Sequence, residues 1–197
     1  MIRILFLDVD GVLNGHDWHE GARSNTLRKD CIEQLSRILK ETGCRIVLSS
    51  AWRYLIHCGA MNHLGFEAML RSHGASGIVG KIVGVTRKDE HCCHCGHRHR
   101  NGRSMLWDPN GYAVCKKCRK PSTRGDQISA WSYGEALVPT CPSEGERSVI
   151  VALDDDDFGI TAAGIPLVKT NGACGLTKKD ADRVIKILGK DKPDGKK

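Results

Sequence analysis

The sequence lacks any hydrophobic run that approaches the length needed to cross a membrane. Asp8 and Asp10 interrupt the only stretch that could pass for the core of a secretory signal peptide. There is also no Gly-x-x-x-x-Gly-Lys-Ser/Thr loop, which argues against a P-loop kinase. We therefore expect a cytoplasmic protein whose ten cysteines are thiols or metal ligands rather than disulfides.

The length and the charge distribution favour one folded domain with a basic insert. The 197 residues suffice for one α/β domain and an insert, but not for two full domains. Of the 30 basic and 23 acidic residues, residues 87–124 hold ten basic and three acidic ones, a balance of +7. The other 20 basic and 20 acidic residues cancel. This segment is typical of a surface for a polyanion, and a solvated basic loop is the alternative.

The chain is organised around residues 2–7, an apolar run that predicts a strand buried on both faces. Asp8 and Asp10 follow it and should project to the same side, because side chains alternate along a strand. Gly11 then allows the backbone to turn. Carboxylates at the carboxyl end of a parallel strand are well placed to hold a divalent cation, although two surface acids at a solvated strand end are the alternative.

A strand–helix–strand unit follows and predicts a parallel sheet. Asn25 or Thr26 is expected to cap a helix that runs to about residue 42, and residues 45–48 form the next buried strand. Because neighbouring parallel strands end at one edge, Ser49 is expected beside the two carboxylates.

The rest of the chain predicts a further strand, a helix and a buried strand that ends in acidic residues. Residues 74–85 predict a turn and a strand that leads out of the core. Residues 127–136 predict a helix, with Arg124 just before it and able to reach across the site. A buried strand at residues 148–153 ends in four consecutive aspartates, residues 154–157. Such a run would be strongly self-repelling without a cation, which favours metal binding over a plain acidic surface.

Two pairs of cysteines predict a structural zinc site. Cys92 and Cys95 form one Cys-x-x-Cys turn, and Cys115 and Cys118 form the second after 19 intervening residues. Four thiolates satisfy tetrahedral Zn²⁺, and metal binding would supply the folding energy that so small a segment lacks. Four nearby residues are close enough to replace one ligand: Cys93, His91, His94 and His97.

Three sequence motifs together resemble the first, second and fourth motifs of the haloacid dehalogenase (HAD) superfamily. They are Leu-Asp-Val-Asp-Gly-Val-Leu at 7–13, Val-Leu-Ser-Ser-Ala-Trp-Arg at 47–53 and Val-Ala-Leu-Asp-Asp at 151–155. Two longer stretches are similar to the branch found in RNA-repair proteins and polynucleotide-kinase-type 3′-phosphatases. They are Ser-Ser-Ala-Trp-Arg at 49–53 and Arg-Gly-Asp-Gln-Ile-Ser-Ala-Trp at 124–131.

The resemblance implies catalytic roles for four residues. Asp8 matches the nucleophile that attacks phosphorus and becomes an aspartyl-phosphate. Asp10 matches the general acid that protonates the leaving oxygen and then activates water. Ser49 matches the hydroxyl that holds the transferring phosphoryl group, and Ser50 is the alternative candidate for this role. Arg124 is the candidate for the basic third motif, where the family more often has lysine.

The resemblance also implies the metal ligands and a substrate contact. Asp154 and Asp155 match the carboxylates that fix Mg²⁺, together with Asp8 and the main-chain carbonyl of Asp10. Arg53 matches a basic residue that contacts the substrate phosphate in the polynucleotide branch.

The predicted architecture is a Rossmann-like parallel sheet with helices on both faces, as in the HAD fold. Residues 1–86 and 122–188 would form the core, residues 87–121 a zinc-ribbon insert at the cap position, and residues 189–197 a disordered basic tail. A basic cap favours a magnesium-dependent phosphatase that removes a terminal phosphate, preferably a 3′-phosphate, from DNA or RNA.

Two alternatives to this function stay open. One is a phosphatase for nucleotides or other small molecules, with the zinc segment as a lid. The other is a non-catalytic nucleic-acid-binding zinc protein. The sequence leaves the oligomeric state undetermined.

Overall fold

The computed structural model describes residues 1–15, 26–57, 59–86, 105–107, 113–115, 117, 121–132 and 148–189. Its strands, in chain order, are β1 Ile2–Leu7, β2 Arg45–Leu48, β3 Ile82–Val85, β4 Met105–Trp107, β5 Ala113–Cys115, β6 Pro121–Ser122, β7 Ser148–Asp154 and β8 Leu167–Lys169. Its helices are α1 Lys29–Thr42, α2 Arg53–His57, α3 His63–Ser72, α4 Arg124–Ser132 and α5 Lys178–Leu188. Among the described residues, no helix has both the length and the apolar composition needed to span a bilayer.

Five strands form a parallel sheet in the order β3-β2-β1-β7-β8. The apolar strand β1 lies at the centre, between β2 and β7. Its Leu7 is paired with Leu48 on one side and with Leu153 on the other. The predicted Rossmann-like parallel sheet is confirmed, and the register brings the ends of the three central strands to the same level.

The central sheet is covered on both faces, as predicted. Leu5 and Leu7 point into the larger core cluster, to which α1, α3 and α5 contribute. Ile4 and Phe6 point into a second cluster with residues of α4, where Phe6 meets Trp131 edge to face at a ring distance of 5.5 Å. By the alternation of a strand, Asp8 continues the row of Ile4 and Phe6 and therefore projects toward the α4 face.

Helix α1 begins later than expected. It starts at Lys29 with Arg28 at the N-cap, and no side chain caps it. The main-chain N–H of Arg28 donates to the carbonyl of Leu13 at 2.8 Å, which holds the chain outside the helix up to that residue. The predicted cap at Thr26 is therefore wrong, and Asn25 lies outside the described residues.

Helix α4 begins earlier than expected, so Arg124 is its first residue rather than a residue before it. The hydroxyl of Thr123 accepts the main-chain N–H of Asp126 at 3.1 Å, and the Asp126 carboxylate accepts the Thr123 N–H at 2.9 Å. This reciprocal pair satisfies two helix-terminal donors and fixes the start of the helix.

Strand β3 is an edge strand of the main sheet. The sequence predicted a strand that leads out of the core, but Ile82 is buried and pairs with Ile46 of β2. The buried carboxylate of Glu67, in α3, accepts the N–H groups of Gly80 and Ile82, both at 3.1 Å. These bonds hold the strand against the helix layer.

Strands β4, β5 and β6 form a separate antiparallel sheet in the order β4-β5-β6. They fall within and directly after the predicted insert. Pro121 and Ser122 pair with β5, so this small sheet extends one residue past the predicted boundary at residue 121. The predicted disordered tail at residues 189–197 lies outside the described residues except for Gly189.

Candidate active site

The site lies where β1, β2 and β7 end. The N–H of Asp8 donates to the carbonyl of Leu153 at 3.0 Å, and the N–H of Ser49 donates to the carbonyl of Leu7 at 2.9 Å. The parallel ladder thus extends past the strands and fixes the backbone of both residues. Asp154, the last residue of β7, completes the same edge.

Three carboxylates converge at this edge. Oxygen atoms of Asp8, Asp154 and Asp155 all lie within 4.8 Å of one another, and no other group of metal-ligating side chains of this kind occurs in the described part of the chain. Asp8 and Asp154 are buried, while Asp155 is half-buried. The cluster therefore combines a carboxylate that follows β1 with two from the end of β7.

The other two aspartates of the acidic run do not join this cluster. Asp156 forms an ion pair with Lys169 at 3.2 Å. The Asp157 carboxylate accepts the main-chain N–H of Thr161 at 2.9 Å. In the second half of the run, a lysine and local N–H donors therefore offset the negative charge, and the two predicted ligands, Asp154 and Asp155, are the members that lie in the cluster.

Arg124 places a positive charge against two of the carboxylates. Its guanidinium forms ion pairs with Asp154 and, at 3.4 Å, with Asp8. The N–H of Arg124 donates to the carbonyl of Phe158 at 3.1 Å, and the guanidinium lies 4.7 Å from the centre of the Phe158 ring. An arginine in the first turn opposes the helix dipole, so its two carboxylate partners explain its presence there.

Burial dominates the electrostatics of the site. It raises the pKa of Asp154 from its ordinary 3.8 to about 7, with Arg124 opposing this shift and Asp8 adding to it. Burial also raises the pKa of Asp8, against the effect of Arg124 and a hydrogen bond with Ser50. Although burial works against its charge, Asp8 and Asp154 raise the pKa of Arg124 above its ordinary value. Burial thus disfavours the charged forms of Asp8 and Asp154 in spite of the nearby Arg124.

Two buried polar atoms at this edge have no hydrogen-bond partner within the described structure: Oδ1 of Asp8 and Oγ of Ser49. Ser49 is 1 % exposed and Asp8 is 4 % exposed. Leaving such atoms unsatisfied costs free energy, about 1–3 kcal/mol each. Both atoms are available to a bound ligand, and the three-carboxylate set fits Mg²⁺, which prefers oxygen ligands.

Gly11 lies so close to the Asp155 carboxylate that a side chain at this position would not fit. Its φ of +73° is in the left-handed region, and a Cβ atom here would lie 2.3 Å from Oδ2 of Asp155. Its carbonyl accepts the hydroxyl of the buried Thr170 at 3.0 Å. The backbone turn predicted from this glycine therefore also sets the approach of Asp155.

Asp10 is held by two side chains that the sequence analysis did not assign to the site. Its Oδ1 accepts the amide of Asn14 at 2.9 Å and the indole N–H of Trp52 at 2.9 Å. The sequence places both residues near the site motifs, since Asn14 lies four residues beyond Asp10 and Trp52 lies in the motif at residues 47–53. It does not specify their hydrogen bonds to Asp10, which depend on the fold.

The predicted substrate-binding residues lie beside the site on the β2 side. Ser50 is fully buried, and its hydroxyl accepts the N–H of Trp52 at 3.2 Å. Arg53 is half-buried at the start of α2, and its guanidinium donates to the hydroxyl of Thr86 at 3.4 Å. Thr86 directly follows β3, so this bond ties α2 to the sheet edge.

Most of the predicted zinc site lies outside the described residues. Cys92, Cys95 and Cys118 do so, as do Cys93 and the three histidines that were considered as replacement ligands. Cys115 is buried at the end of β5. The zinc site therefore stays a prediction.

Comparison with protein families gives a match over residues 4–181 to the family described as the HAD domain in Swiss Army Knife RNA repair proteins. The match covers the carboxylate cluster, Arg124 and all five strands of the parallel sheet except the first two residues of β1. Comparison with the curated proteins and comparison with the solved structures each found no match.

Proposed function

The chain belongs to the family of HAD domains in Swiss Army Knife RNA repair proteins, and from this premise we propose that it is a magnesium-dependent phosphatase acting on a terminal phosphomonoester of a nucleic acid. A 3′-phosphate is the favoured substrate. The reaction proceeds through an aspartyl-phosphate on Asp8.

One observation supports this proposal most strongly. Asp8 presents a buried carboxylate oxygen without a partner, and Ser49 presents a buried hydroxyl without one, at the same edge of the sheet. A nucleophile needs a free oxygen, and a phosphoryl group needs donors. In a purely structural role, nothing would offset the free-energy cost of burying both atoms without hydrogen bonds.

The proposed reaction assigns one task to each side chain. The Asp8 oxygen attacks phosphorus in line with the leaving oxygen, while the Ser49 hydroxyl and the Arg124 guanidinium bind the phosphoryl oxygens. Asp10 donates a proton to the leaving oxygen as its bond to phosphorus breaks. Asp10 then takes a proton from the water that attacks the phosphorus, which releases phosphate and restores Asp8.

Mg²⁺ would be held by Asp8, Asp154 and Asp155, with the Asp10 main-chain carbonyl as a further oxygen ligand. When bound, the ion would neutralise charge on the transferring phosphoryl group. The ion would also offset the negative charge that burial makes unfavourable on Asp8 and Asp154.

Two features favour a nucleic acid as the substrate. The family is one of RNA repair proteins. The part of the chain inserted between β3 and α4 carries most of the formal excess of positive charge, with nine basic and three acidic residues in 87–123, a balance of +6. Cations on such a segment neutralise backbone phosphates and make binding steeply dependent on salt.

We further propose that Cys92, Cys95, Cys115 and Cys118 bind one structural Zn²⁺ and so order the insert. Metal analysis of the purified protein is expected to find about one zinc per chain. Replacing Cys92 and Cys95 with serine should abolish zinc binding. Retention of zinc by that double variant would contradict this ligand set.

The test of the function is phosphate release from three substrates, each with Mg²⁺ and with EDTA. These are a 3′-phosphorylated oligonucleotide, the same oligonucleotide with a 5′-phosphate, and a mononucleotide. Asp8→Asn is the catalytic variant, and Asp156→Asn is the matched control because Asp156 pairs with Lys169 outside the cluster. Release from the mononucleotide alone would replace the nucleic acid with a small substrate. No release from any substrate, together with salt-dependent RNA binding, would indicate a binding protein.

A further inference from the structure

Two hydrogen-bond donors from different parts of the chain meet one oxygen of Asp10. The amide Nδ2 of Asn14 and the indole Nε1 of Trp52 both lie 2.9 Å from Oδ1. Asn14 belongs to the turn after β1, and Trp52 follows β2, 42 residues from Asp10. We call these two donors the Asp10 clamp.

Each donor of the clamp is itself fixed in orientation. The Oδ1 atom of Asn14 accepts the N–H of Gly11 at 2.8 Å, so its amide nitrogen must face Asp10. The main-chain N–H of Trp52 donates to the hydroxyl of Ser50 at 3.2 Å, which holds the backbone of Trp52 in place. Its ring also meets Phe66 edge to face at 6.2 Å. The clamp is therefore set before any substrate binds.

The chemistry of the two donors constrains the proton on Asp10. An indole N–H and an amide NH₂ can donate but cannot accept, and a carboxylate oxygen has two lone pairs. Two donors occupy both lone pairs of Oδ1, so a proton on that oxygen would displace one of them. A proton carried by Asp10 must therefore be on Oδ2.

We propose that Trp52 and Asn14 are positioning residues that direct Oδ2 of Asp10 toward the leaving oxygen of the substrate. The inference rests on the proposed function, in which Asp10 is the general acid. As the Asp8 oxygen bonds to phosphorus, the bond to the leaving oxygen breaks. Its electron pair stays on that oxygen, which takes the proton from Oδ2. Oδ2 recovers a proton from the attacking water in the second step.

The clamp predicts a change that depends on the leaving group. Trp52→Phe removes the N–H donor but keeps a ring against Phe66. A 3′-hydroxyl leaves poorly without a proton, whereas p-nitrophenolate needs little help. We therefore expect kcat/KM of Trp52→Phe to fall about tenfold or more on a 3′-phosphorylated oligonucleotide, and by less than about threefold on p-nitrophenyl phosphate.

The matched control is Phe66→Leu, which disturbs the packing of Trp52 without removing its N–H. It should change kcat/KM equally for both substrates, because it affects structure and not the donor. Equal losses on both substrates in Trp52→Phe would overturn the proposal. A selective loss on the oligonucleotide would support it.

An NMR measurement tests the clamp without any turnover. The indole N–H resonance of Trp52 is identified as the one that Trp52→Phe deletes. It should shift upfield by about 0.5 ppm or more in Asp10→Ala, because its hydrogen bond to a carboxylate is lost. An unchanged shift would overturn the clamp itself. If the shift occurs but the wild-type protein releases no phosphate from either substrate, the proposed function fails, and the catalytic role of the clamp fails with it.

Discussion

The stability of the metal-free protein should fall as the pH rises from about 4 to about 7. The cause is Asp154, whose pKa burial raises from 3.8 to about 7, against Arg124 and with Asp8 adding to the effect. Between these values the folded protein binds a proton that the unfolded chain has already lost. Each unit of pKa difference is worth about 1.4 kcal/mol, so a shift of about three units amounts to about 4 kcal/mol lost by pH 7.

The surface carboxylates change the stability in the opposite direction with pH, so their effect can be separated from that of Asp154. Hydrogen bonds from Arg28, Thr161 and Arg37 lower the pKa values of Asp30, Asp157 and Asp182, respectively. Their contributions to stability are lost only as the pH falls below about 4. The part of a decline between pH 5 and pH 7.5 that Asp154→Asn removes therefore reports on the buried cluster.

The assay is urea unfolding in EDTA from pH 5 to pH 8, for the wild-type protein, Asp154→Asn and Asp156→Asn. The first variant should lose much of the decline, and the second should retain it, since Asp156 is half exposed and pairs with Lys169. Mg²⁺ should stabilise the wild-type protein far more at pH 8 than at pH 5. At a Mg²⁺ concentration 100 times the Kd at pH 8, the stabilisation at that pH should be about 2.7 kcal/mol. A metal-free wild-type protein with the same pH dependence as Asp154→Asn would refute this account.

Substitutions at three further positions test how the site and the start of α4 are built. Gly11→Ala should weaken Mg²⁺ binding, measured by calorimetry, because its Cβ would lie 2.3 Å from the Asp155 carboxylate; unchanged binding would contradict that contact. Gly125→Ala should lower the free energy of unfolding by about 1–3 kcal/mol, since its Cβ would lie 2.1 Å from the Gly159 carbonyl oxygen. A wild-type melting curve would exclude this close approach. Arg124→Ala should destabilise the metal-free protein at pH 8 by about 3–5 kcal/mol, because two buried carboxylates lose their partner. Arg124→Lys should recover most of this loss, and equal loss in both variants would contradict a charge effect.

The sheet and its active edge were predictable because the sequence encodes them locally. The apolar run of β1 and the acids after it predict a buried strand with a polar end. The alternation of side chains then places Asp8 on the α4 face, where Arg124 is found. Ser49 follows from the rule that neighbouring parallel strands end together.

The features that the sequence did not predict depend on tertiary contacts. The bond between Trp52 and Asp10 joins residues 42 positions apart, and no local pattern specifies it. The start of α1 is set by a hydrogen bond to Leu13 rather than by a capping side chain. The ion pair of Asp156 with Lys169 likewise joins the acidic run to a different strand, so the run alone does not specify it.

The most direct test of the central claim is transfer of the phosphoryl group to Asp8. The protein is mixed with an oligonucleotide that carries a ³²P-labelled 3′-phosphate and Mg²⁺, quenched with acid, and digested for peptide mapping. The account predicts label on the peptide that contains Asp8, released by hydroxylamine and absent both with EDTA and in Asp8→Asn. Release of phosphate without label on the protein, or label that persists in Asp8→Asn, would contradict it.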